Sequence, residues 1–226
     1  MRTARIVALL AAGALIATAA AARDHEGHGS EVARTGDRVT VRIGEPAPKR
    51  RAIAVATLQA KGGSGVAGTV RFRRVGAGVQ VKVDVTGLTP GDHGFHVHEF
   101  GDCAAQDGAS AGPHFNPTRA PHGGPHAEAH HGGDLGNIVA DAKGRARLTL
   151  VSNDLSLGDG GPHDVVGRSV IVHAVADDLK TQPTGNSGAR IACGMIALEG
   201  GDTKPVTKAE APAADKPAPD AKSKPG

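Results

Sequence analysis

The chain has 226 residues, a length typical of one folded domain with additional segments. It contains only 4 Phe and no Trp or Tyr, which argues against a nucleic-acid interface built on stacked aromatic side chains. The formal net charge of +3 is small, so the charge balance does not indicate a polyanionic partner. Histidine stands out, because most of the 12 histidines lie between His93 and His131.

The N-terminal segment, residues 1–22, has the pattern of a cleavable secretory signal. Two arginines precede an apolar run over residues 6–16, and small residues follow up to Ala22. The apolar run is too short to span a bilayer, so we expect no stable membrane insertion. Neither cysteine lies near the cleavage region, which excludes a lipid-anchored cysteine there. The mature chain is therefore expected in the periplasm or outside the cell.

Two further segments are predicted to lie outside the folded unit. Residues 23–50 are polar and are expected to form a flexible leader, in which His25 and His28 could collect metal ions but fit a solvated chain better. Residues 200–226 consist mainly of Pro, Ala, Lys and Asp, with little to bury, and are predicted to be disordered. The folded unit is left as residues 51–199, which can bury a core.

Short apolar or alternating segments predict eight β-strands within this unit. The predicted strands are residues 53–58, 66–73, 78–86, 94–100, 135–140, 145–150, 167–174 and 189–198. No segment after the signal shows a helical period. Eight short strands with glycine-rich turns predict an all-β fold, an eight-stranded antiparallel sandwich or barrel. One long irregular stretch, Gly101–Asp134, interrupts the pattern and carries most of the histidines.

The first candidate metal site is built on a predicted strand. His96 and His98 are two residues apart, so both side chains leave the same face and can bind one ion. His93 has the opposite parity and is predicted to be a structural, hydrogen-bonding residue. His173 on a later strand and His114 in the long loop complete a set of four imidazoles, which suits copper in both oxidation states.

The long loop supplies a second candidate set. It consists of His114, His122, His131 and Asp134. Three imidazole nitrogens and one carboxylate oxygen form the tetrahedral set that zinc prefers. Because His114 belongs to both sets, it can serve two metals only as an imidazolate, a form that two adjacent dications stabilise.

The chain has two cysteines, Cys103 and Cys193. In an oxidising compartment they are expected to form a disulfide. In the chain-entropy model, closing a loop of this length stabilises the fold by about 4–5 kcal/mol. The bond would tie the long loop to the last predicted strand.

Several motifs resemble those of the copper/zinc superoxide dismutase family. They are Gly94-Phe-His-Val-His-Glu-Phe-Gly-Asp102, Gly112-Pro-His-Phe-Asn116, His122-Gly-Gly-Pro125, Gly133-Asp-Leu-Gly-Asn137 and Gly185-Asn186, followed by Arg190-Ile-Ala-Cys-Gly194. The similarity covers about residues 51–199. The signal segment, and a cysteine directly after Asp102, resemble the bacterial periplasmic branch of the family.

The resemblance implies a Greek-key barrel that converts superoxide to oxygen and hydrogen peroxide by redox cycling of copper. It assigns copper to His96, His98, His114 and His173, and zinc to His114, His122, His131 and Asp134. The family spacing selects His131 over His126 and His130 as the zinc ligand. It also makes the bridging His114 a source of a proton for the reaction.

The resemblance assigns roles to two residues that their types alone would not single out. Asp177 matches the aspartate that holds one copper ligand and one zinc ligand through their free nitrogens. Arg190 matches the arginine that orients the anion at the copper channel. Residues 177–190 form a shorter segment than the charged loop of many relatives, so Lys180 and Arg119 are candidate substitutes for its steering lysine.

A second class of function is compatible with the same motifs. A periplasmic protein could bind copper and zinc on this fold without turning over superoxide. Such a protein would be expected to lack a copper ligand or the channel arginine, and the chain retains all of them. No motif marks a subunit interface, so the sequence leaves a homodimer open.

Overall fold

The computed structural model describes residues 30–35, 38–43 and 52–209. The predicted signal segment, residues 1–22, lies outside them. Over the described residues the chain forms β-strands and a single 3₁₀ turn at Ala109–Ala111, with no α-helix. Within this part of the chain, no helix has the length and apolar character needed to cross a bilayer.

A short hairpin precedes the barrel. Strands β1 (Ser30–Thr35) and β2 (Arg38–Ile43) pair antiparallel as a two-stranded sheet. The flexible leader expected over residues 23–50 stays a prediction, and this hairpin is the part of that segment that the structure describes. Valine and isoleucine alternate with polar residues over 38–43, which is a strand pattern.

The remaining strands close into one antiparallel barrel, which confirms the predicted all-β fold. They are β3 (Ile53–Ala60), β4 (Ala67–Val75), β5 (Gly78–Thr86), β6 (Gly91–His98), β7 (Asp134–Ala140), β8 (Ala146–Ser152), β9 (Ser169–His173) and β10 (Arg190–Leu198). Their order around the barrel is β10-β3-β4-β5-β8-β7-β6-β9. Because β5 neighbours β8 rather than β6, and β8 does not neighbour β9, the chain crosses over twice, as the Greek-key expectation requires.

The barrel interior is built from small branched side chains and phenylalanine. In β5 the buried apolar side chains are Val79, Val81, Val83 and Val85. Lys82 lies between them and is exposed, so the alternation in the sequence matches the two faces of the strand. Phe72, Phe95 and Phe115 are at most 1% exposed and fill the larger spaces. Burying each such side chain stabilises the fold by about 1.5–3 kcal/mol.

Two connections cover the outer face of β6 and β9, which are neighbours in the barrel. The long loop of residues 99–133 joins β6 to β7, and residues 174–189 join β9 to β10. Phe95 and Val97 of β6 point into the core, so the residues between and after them face outward, under these two loops.

The described chain continues past β10 and pairs again with the barrel. The N–H of Val206 donates to the carbonyl of Gly167 at 2.7 Å, and its carbonyl accepts from the N–H of Gly101 at 2.9 Å. Residues 200–226 were predicted to be disordered, and the structure differs for this first part. The contacts use backbone groups, and the Val206 side chain is half-buried beside them. Residues 210–226 lie outside the described residues.

Candidate metal centre

The sheet places three of the predicted ligands on one surface. His96 and His98 leave the outer face of β6, and His173 ends the neighbouring β9. All three are buried, at 0–3% exposed, because the two loops cover them. A strand ladder fixes the backbone at these positions, so the three imidazoles are held close together by the barrel itself.

The long loop adds a fourth imidazole to this surface. One nitrogen from each of His96, His98, His114 and His173 lies within 4.8 Å of the others. The Nε2 atoms of His98 and His173 are 3.4 Å apart, and the ring centroids of His96 and His114 are 4.0 Å apart. We call these four residues the copper set.

Backbone carbonyls orient two rings of the copper set. Nδ1 of His98 donates to the carbonyl of Gly112 at 2.9 Å, and Nδ1 of His173 donates to the carbonyl of Gly188 at 3.2 Å. A neutral imidazole that donates from Nδ1 presents an unprotonated Nε2. Both residues therefore aim a metal-binding nitrogen at the centre of the set.

A second cluster lies next to the first. His114, His122, His131 and Asp134 each offer one donor atom within 4.8 Å of the others, and we call them the zinc set. Nδ1 of His114 donates to Oδ1 of Asp134 at 2.8 Å, while Nδ1 of His122 lies 3.0 Å from Oδ2. Nδ1 of His131 lies 3.3 Å from Oδ1. His114 thus faces the zinc set with Nδ1 and the copper set with Nε2.

Asp177 links the two sets. Its Oδ2 accepts from Nε2 of His96 at 2.8 Å, and its Oδ1 accepts from Nε2 of His122 at 3.0 Å. The side chain of Asn137 holds the backbone of Asp177 on both sides, donating to its carbonyl at 2.9 Å and accepting from its N–H at 2.7 Å. The two histidines are left with unprotonated Nδ1 atoms directed at the two clusters.

Unpaired nitrogens test whether the clusters fit metal ions. In the described part of the chain, the buried side-chain atoms without a hydrogen-bond partner are Nδ1 of His96, Nε2 of His114, Nδ1 of His122, Nδ1 of His131 and Oγ of Ser169. Leaving a buried polar atom unsatisfied costs about 1–3 kcal/mol. Since four such atoms converge on two points, the donor sets fit metals: four nitrogens for copper, and three nitrogens with an oxygen for zinc.

Burial keeps three histidines of the copper set neutral, namely His98, His114 and His173. It lowers the pKa of His98 well below its usual range, and the nearby His114 and His173 rings lower it further. Burial likewise lowers the pKa of His114 to about 4 and that of His173 to about 3. The neutral ring is the form that binds a metal.

The two buried carboxylates are held in the ionised form. Burial opposes ionisation of Asp134, but the hydrogen bond from His114 and the adjacent His131 ring keep its pKa well below the usual range. Burial also opposes ionisation of Asp177, yet hydrogen bonds from His96, the Leu179 N–H and His122 lower its pKa. The centre therefore contains two fixed negative charges, which favour cations.

Arg190 lies beside the copper set and is fixed by the long loop. Its Nη1 donates to the carbonyl of Gly108, and its Nη2 donates to the carbonyl of Gly112, each at 2.7 Å. The Gly112 carbonyl also accepts from His98, so the guanidinium and a copper-set ring share one acceptor. Partial burial lowers the pKa of Arg190, while Asp107 raises it, and an arginine remains charged.

The predicted disulfide between Cys103 and Cys193 is confirmed, with 5.7 Å between the Cα atoms. It joins the long loop to β10, three residues after Arg190. Lys61, which is 7% exposed, donates from Nζ to the carbonyl of Cys103. The disulfide and this buried cation together attach the start of the loop to the barrel.

The other predicted histidines take structural or surface positions. His126 and His130 lie outside the zinc set, and Nδ1 of His130 donates to the carbonyl of His131 at 2.7 Å. The ring nitrogens of His93 lie 2.8 Å from the carbonyl oxygen of His173 and 2.9 Å from that of Thr89. His93 therefore fills the structural role that its strand parity predicts.

The two candidate steering cations, Lys180 and Arg119, are exposed. The carboxylate of Asp178 accepts from the N–H of Lys180 at 3.0 Å, so a negative charge lies next to the lysine. Hydrogen bonds from Thr181 lower the pKa of Asp178 to about 2. Their steering role stays a prediction.

Three residues that hold the site were not assigned a role from the sequence. They are Lys61, Asn137 and Gln182, the last of which bonds the backbone of His122. Asn137 lies in a motif, but nothing in one sequence distinguishes an amide that supports a site from a solvated one. The partners become neighbours only when the barrel closes.

The chain is similar to proteins of a known family. The family model described as copper/zinc superoxide dismutase matches residues 66–196. An extracellular superoxide dismutase [Cu-Zn] of Brugia pahangi is 42% identical over 158 residues, which cover 66% of this chain and 77% of that protein. The range that matches the family contains both ligand sets, both cysteines and Arg190.

Proposed function

Since the chain belongs to the copper/zinc superoxide dismutase family and its activity is the dismutation of superoxide, we propose that the two ligand sets and Arg190 carry out this reaction. The copper ligands are His96, His98, His114 and His173, and the zinc ligands are His114, His122, His131 and Asp134. The observation that carries this assignment is the convergence of unpaired, buried histidine nitrogens on two adjacent points. When bound, copper supplies reversible one-electron redox chemistry and zinc supplies structural order without redox chemistry.

His114 supplies a proton in this proposal. Its Nδ1 is engaged by Asp134 at 2.8 Å, whereas its Nε2 has no protein partner among the described residues. Reduction of one superoxide to hydrogen peroxide consumes two protons. If zinc took the place of the proton at Nδ1, the ring would carry one of them at Nε2 and could release it to the product without moving its backbone.

Arg190 attracts and orients the anion. Superoxide is small and singly charged, so little binding energy is available and its capture depends on the local field. The guanidinium is held by two carbonyls at 2.7 Å, which fixes the position of this charge relative to the copper set. A fixed cation of this kind acts on the approaching anion without having to be ordered first.

Asp177 positions one ligand of each metal. By accepting from His96 and His122 at 2.8 and 3.0 Å, it fixes the tautomer and the ring orientation of both. One buried carboxylate thereby orients a ligand ring of each set.

The alternative of a metal-binding protein without turnover receives no support from the site, because every proposed ligand and Arg190 are in place. The direct test measures superoxide decay with the metal-free protein and with the protein loaded with copper and zinc. We expect catalysis only after copper is added. Equal decay rates with and without copper would contradict the assignment.

We infer export from the cell for the mature chain. The N-terminal pattern of residues 1–22 and the extracellular relative from Brugia pahangi support it. The N-terminal sequence of protein recovered after expression with its signal segment tests it, with cleavage near Ala22 expected. The bacterial periplasmic branch and a homodimer stay predictions.

A further inference from the structure

One side chain holds both backbone polar groups of a proposed zinc ligand. The N–H of His122 donates to Oε1 of Gln182 at 2.7 Å, and Nε2 of Gln182 donates to the carbonyl of His122 at 2.8 Å. The two residues are 60 positions apart in the sequence, in different loops. The amide thus pairs with His122 as a neighbouring strand would.

Further contacts join the same two segments, the loop of residues 99–133 and the connection of residues 174–189. Asp177 accepts from the His122 ring at 3.0 Å. Leu179 packs on Gly124, where an added Cβ would lie 3.4 Å from its Cδ1. Gly185 has φ +65°, and a Cβ there would lie 2.7 Å from Nε2 of His122 in the other segment, so no larger residue fits this close approach.

The side-chain hydrogen bonds of Asn116, earlier in the same loop, are more local. The side chain of Asn116 donates to the carbonyl of Ala120 at 2.8 Å and accepts from its N–H at 3.0 Å. These bonds shape the loop but do not attach it to another element. Gln182 provides such an attachment at the ligand itself.

We propose that Gln182 is a positioning residue for the zinc ligand His122, and that residues 177–187 act as a clamp on the zinc side of the centre. This inference rests on the proposed function, which assigns His122 to zinc. With its peptide groups held by Gln182 and its Nε2 held by Asp177, the ring of His122 keeps Nδ1 3.0 Å from Oδ2 of Asp134. Zinc then meets a ligand that is already oriented.

The test compares three glutamine variants of the copper- and zinc-loaded protein. Gln182→Met removes both hydrogen bonds to His122 at similar side-chain length, together with the donation from Nε2 to the Lys180 carbonyl at 3.2 Å. Gln182→Glu keeps the acceptor but loses the donor. Gln59→Met is the matched control, because Gln59 is exposed on β3 and has no side-chain hydrogen bond within the described residues. Zinc release to a chromogenic chelator and copper release are followed separately.

We expect Gln182→Met to release zinc about tenfold faster than the unmodified protein, because residues that orient a metal ligand typically change affinity by about 10–100-fold. Gln182→Glu is expected to be intermediate, and Gln59→Met unchanged. Copper release should stay within about twofold in all three. Among the described residues, Gln182 has no hydrogen bond to the copper set and is linked to it only indirectly, through His122 and then Asp177. Equal zinc release from Gln182→Met and Gln59→Met would overturn the proposal, as would equal acceleration of both metals.

A readout without metal separates this proposal from the ligand assignment. In the metal-free protein, the His122 amide should exchange its hydrogen about fivefold to tenfold faster in Gln182→Met, because its acceptor is lost. Unchanged exchange would refute the clamp. Retention of zinc by His122→Ala would instead refute the assignment of His122, whatever the exchange rate shows.

Discussion

The copper set and the zinc set come from different kinds of structure. Three of the four copper-set residues lie on neighbouring strands of the barrel, β6 and β9. In the zinc set, His114, His122 and His131 belong to the long loop, and only Asp134 starts a strand. The comparison shows one site built mainly by a hydrogen-bonded sheet and one built mainly by loop contacts.

This difference predicts that the two sets respond differently to substitutions. A sheet ladder holds its residues in register through many cooperative bonds, whereas a loop needs separate attachments such as the disulfide, Lys61 and Gln182. Changes on the copper side are therefore expected to affect mainly the rate. Changes on the zinc side are expected to affect mainly the order and the stability of the loop.

The largest effect is expected from His173→Ala. This residue belongs to the copper set only, so the variant should lose turnover entirely while the barrel and the zinc set remain. His163→Ala is the control, because His163 lies outside both sets and its Nδ1 donates to the Asp154 carbonyl at 2.8 Å. Superoxide decay is measured for both after loading. Substantial activity in His173→Ala would break the copper assignment.

Arg190 lies where the two regions meet, on β10 but fixed by carbonyls of the long loop. Arg190→Ile should reduce the superoxide rate on the order of tenfold, and Arg190→Glu should reduce it more, with copper still bound. The activity of the unmodified protein should fall as ionic strength rises, because salt screens the field of the channel. Lys180→Ala should have a smaller effect. Full activity of copper-loaded Arg190→Glu would contradict a guiding role.

His122→Ala should act on stability more than on rate. Loss of zinc stabilisation is expected to lower the Tm of the loaded protein by about 5–15 °C, while partial superoxide activity survives. Calorimetry and a superoxide assay on one preparation check both parts. Abolished activity with an unchanged Tm would contradict the expectation that the zinc set governs stability more than rate.

The buried histidines make the metal-free protein sensitive to acid. The folded protein holds the pKa of His114 at about 4 and that of His173 at about 3, whereas an unfolded histidine has a pKa of about 6.5. Between these values the unfolded state binds more protons, so the free energy of unfolding is fully present above about pH 6.5 and falls as the pH drops towards 4. Urea titrations of the metal-free protein at several pH values should show this loss. A constant unfolding free energy across the range would exclude it.

The smallest effect is expected at the C-terminal segment. Removing residues 204–226 keeps Thr203, which accepts from the N–H of Leu198, and deletes the two backbone hydrogen bonds of Val206, each worth about 0.5–1.5 kcal/mol. The Tm should therefore fall by about 2–6 °C, with activity retained. An unchanged Tm would show that this pairing contributes nothing measurable.

The barrel could be predicted from the sequence because its signals are local. The alternation of valines and polar residues predicts β5 with the bounds that the structure has, Gly78–Thr86. The disulfide followed from two cysteines and a secretory signal. The spacing of His96 and His98 predicted a shared face, because parity along a strand is a property of the sequence alone.

The supporting contacts could not be predicted in the same way. Gln182 bonds His122, and Asn137 bonds Asp177, across separations of 60 and 40 residues. Such pairs depend on which loops the closed barrel brings together. The pairing of Val206 with Gly101 and Gly167 was missed for a related reason, since it depends on backbone groups that every residue carries.

Metal content after loading tests most directly whether the two sets are separate sites that share His114. Native mass spectrometry of His173→Ala and His122→Ala, loaded with both metals and dialysed, counts each ion per chain. We predict that His173→Ala keeps zinc and loses copper, and that His122→Ala keeps copper and loses zinc. The opposite pattern, or loss of both metals from both variants, would contradict the assignment of a sheet-built copper site beside a loop-built zinc site.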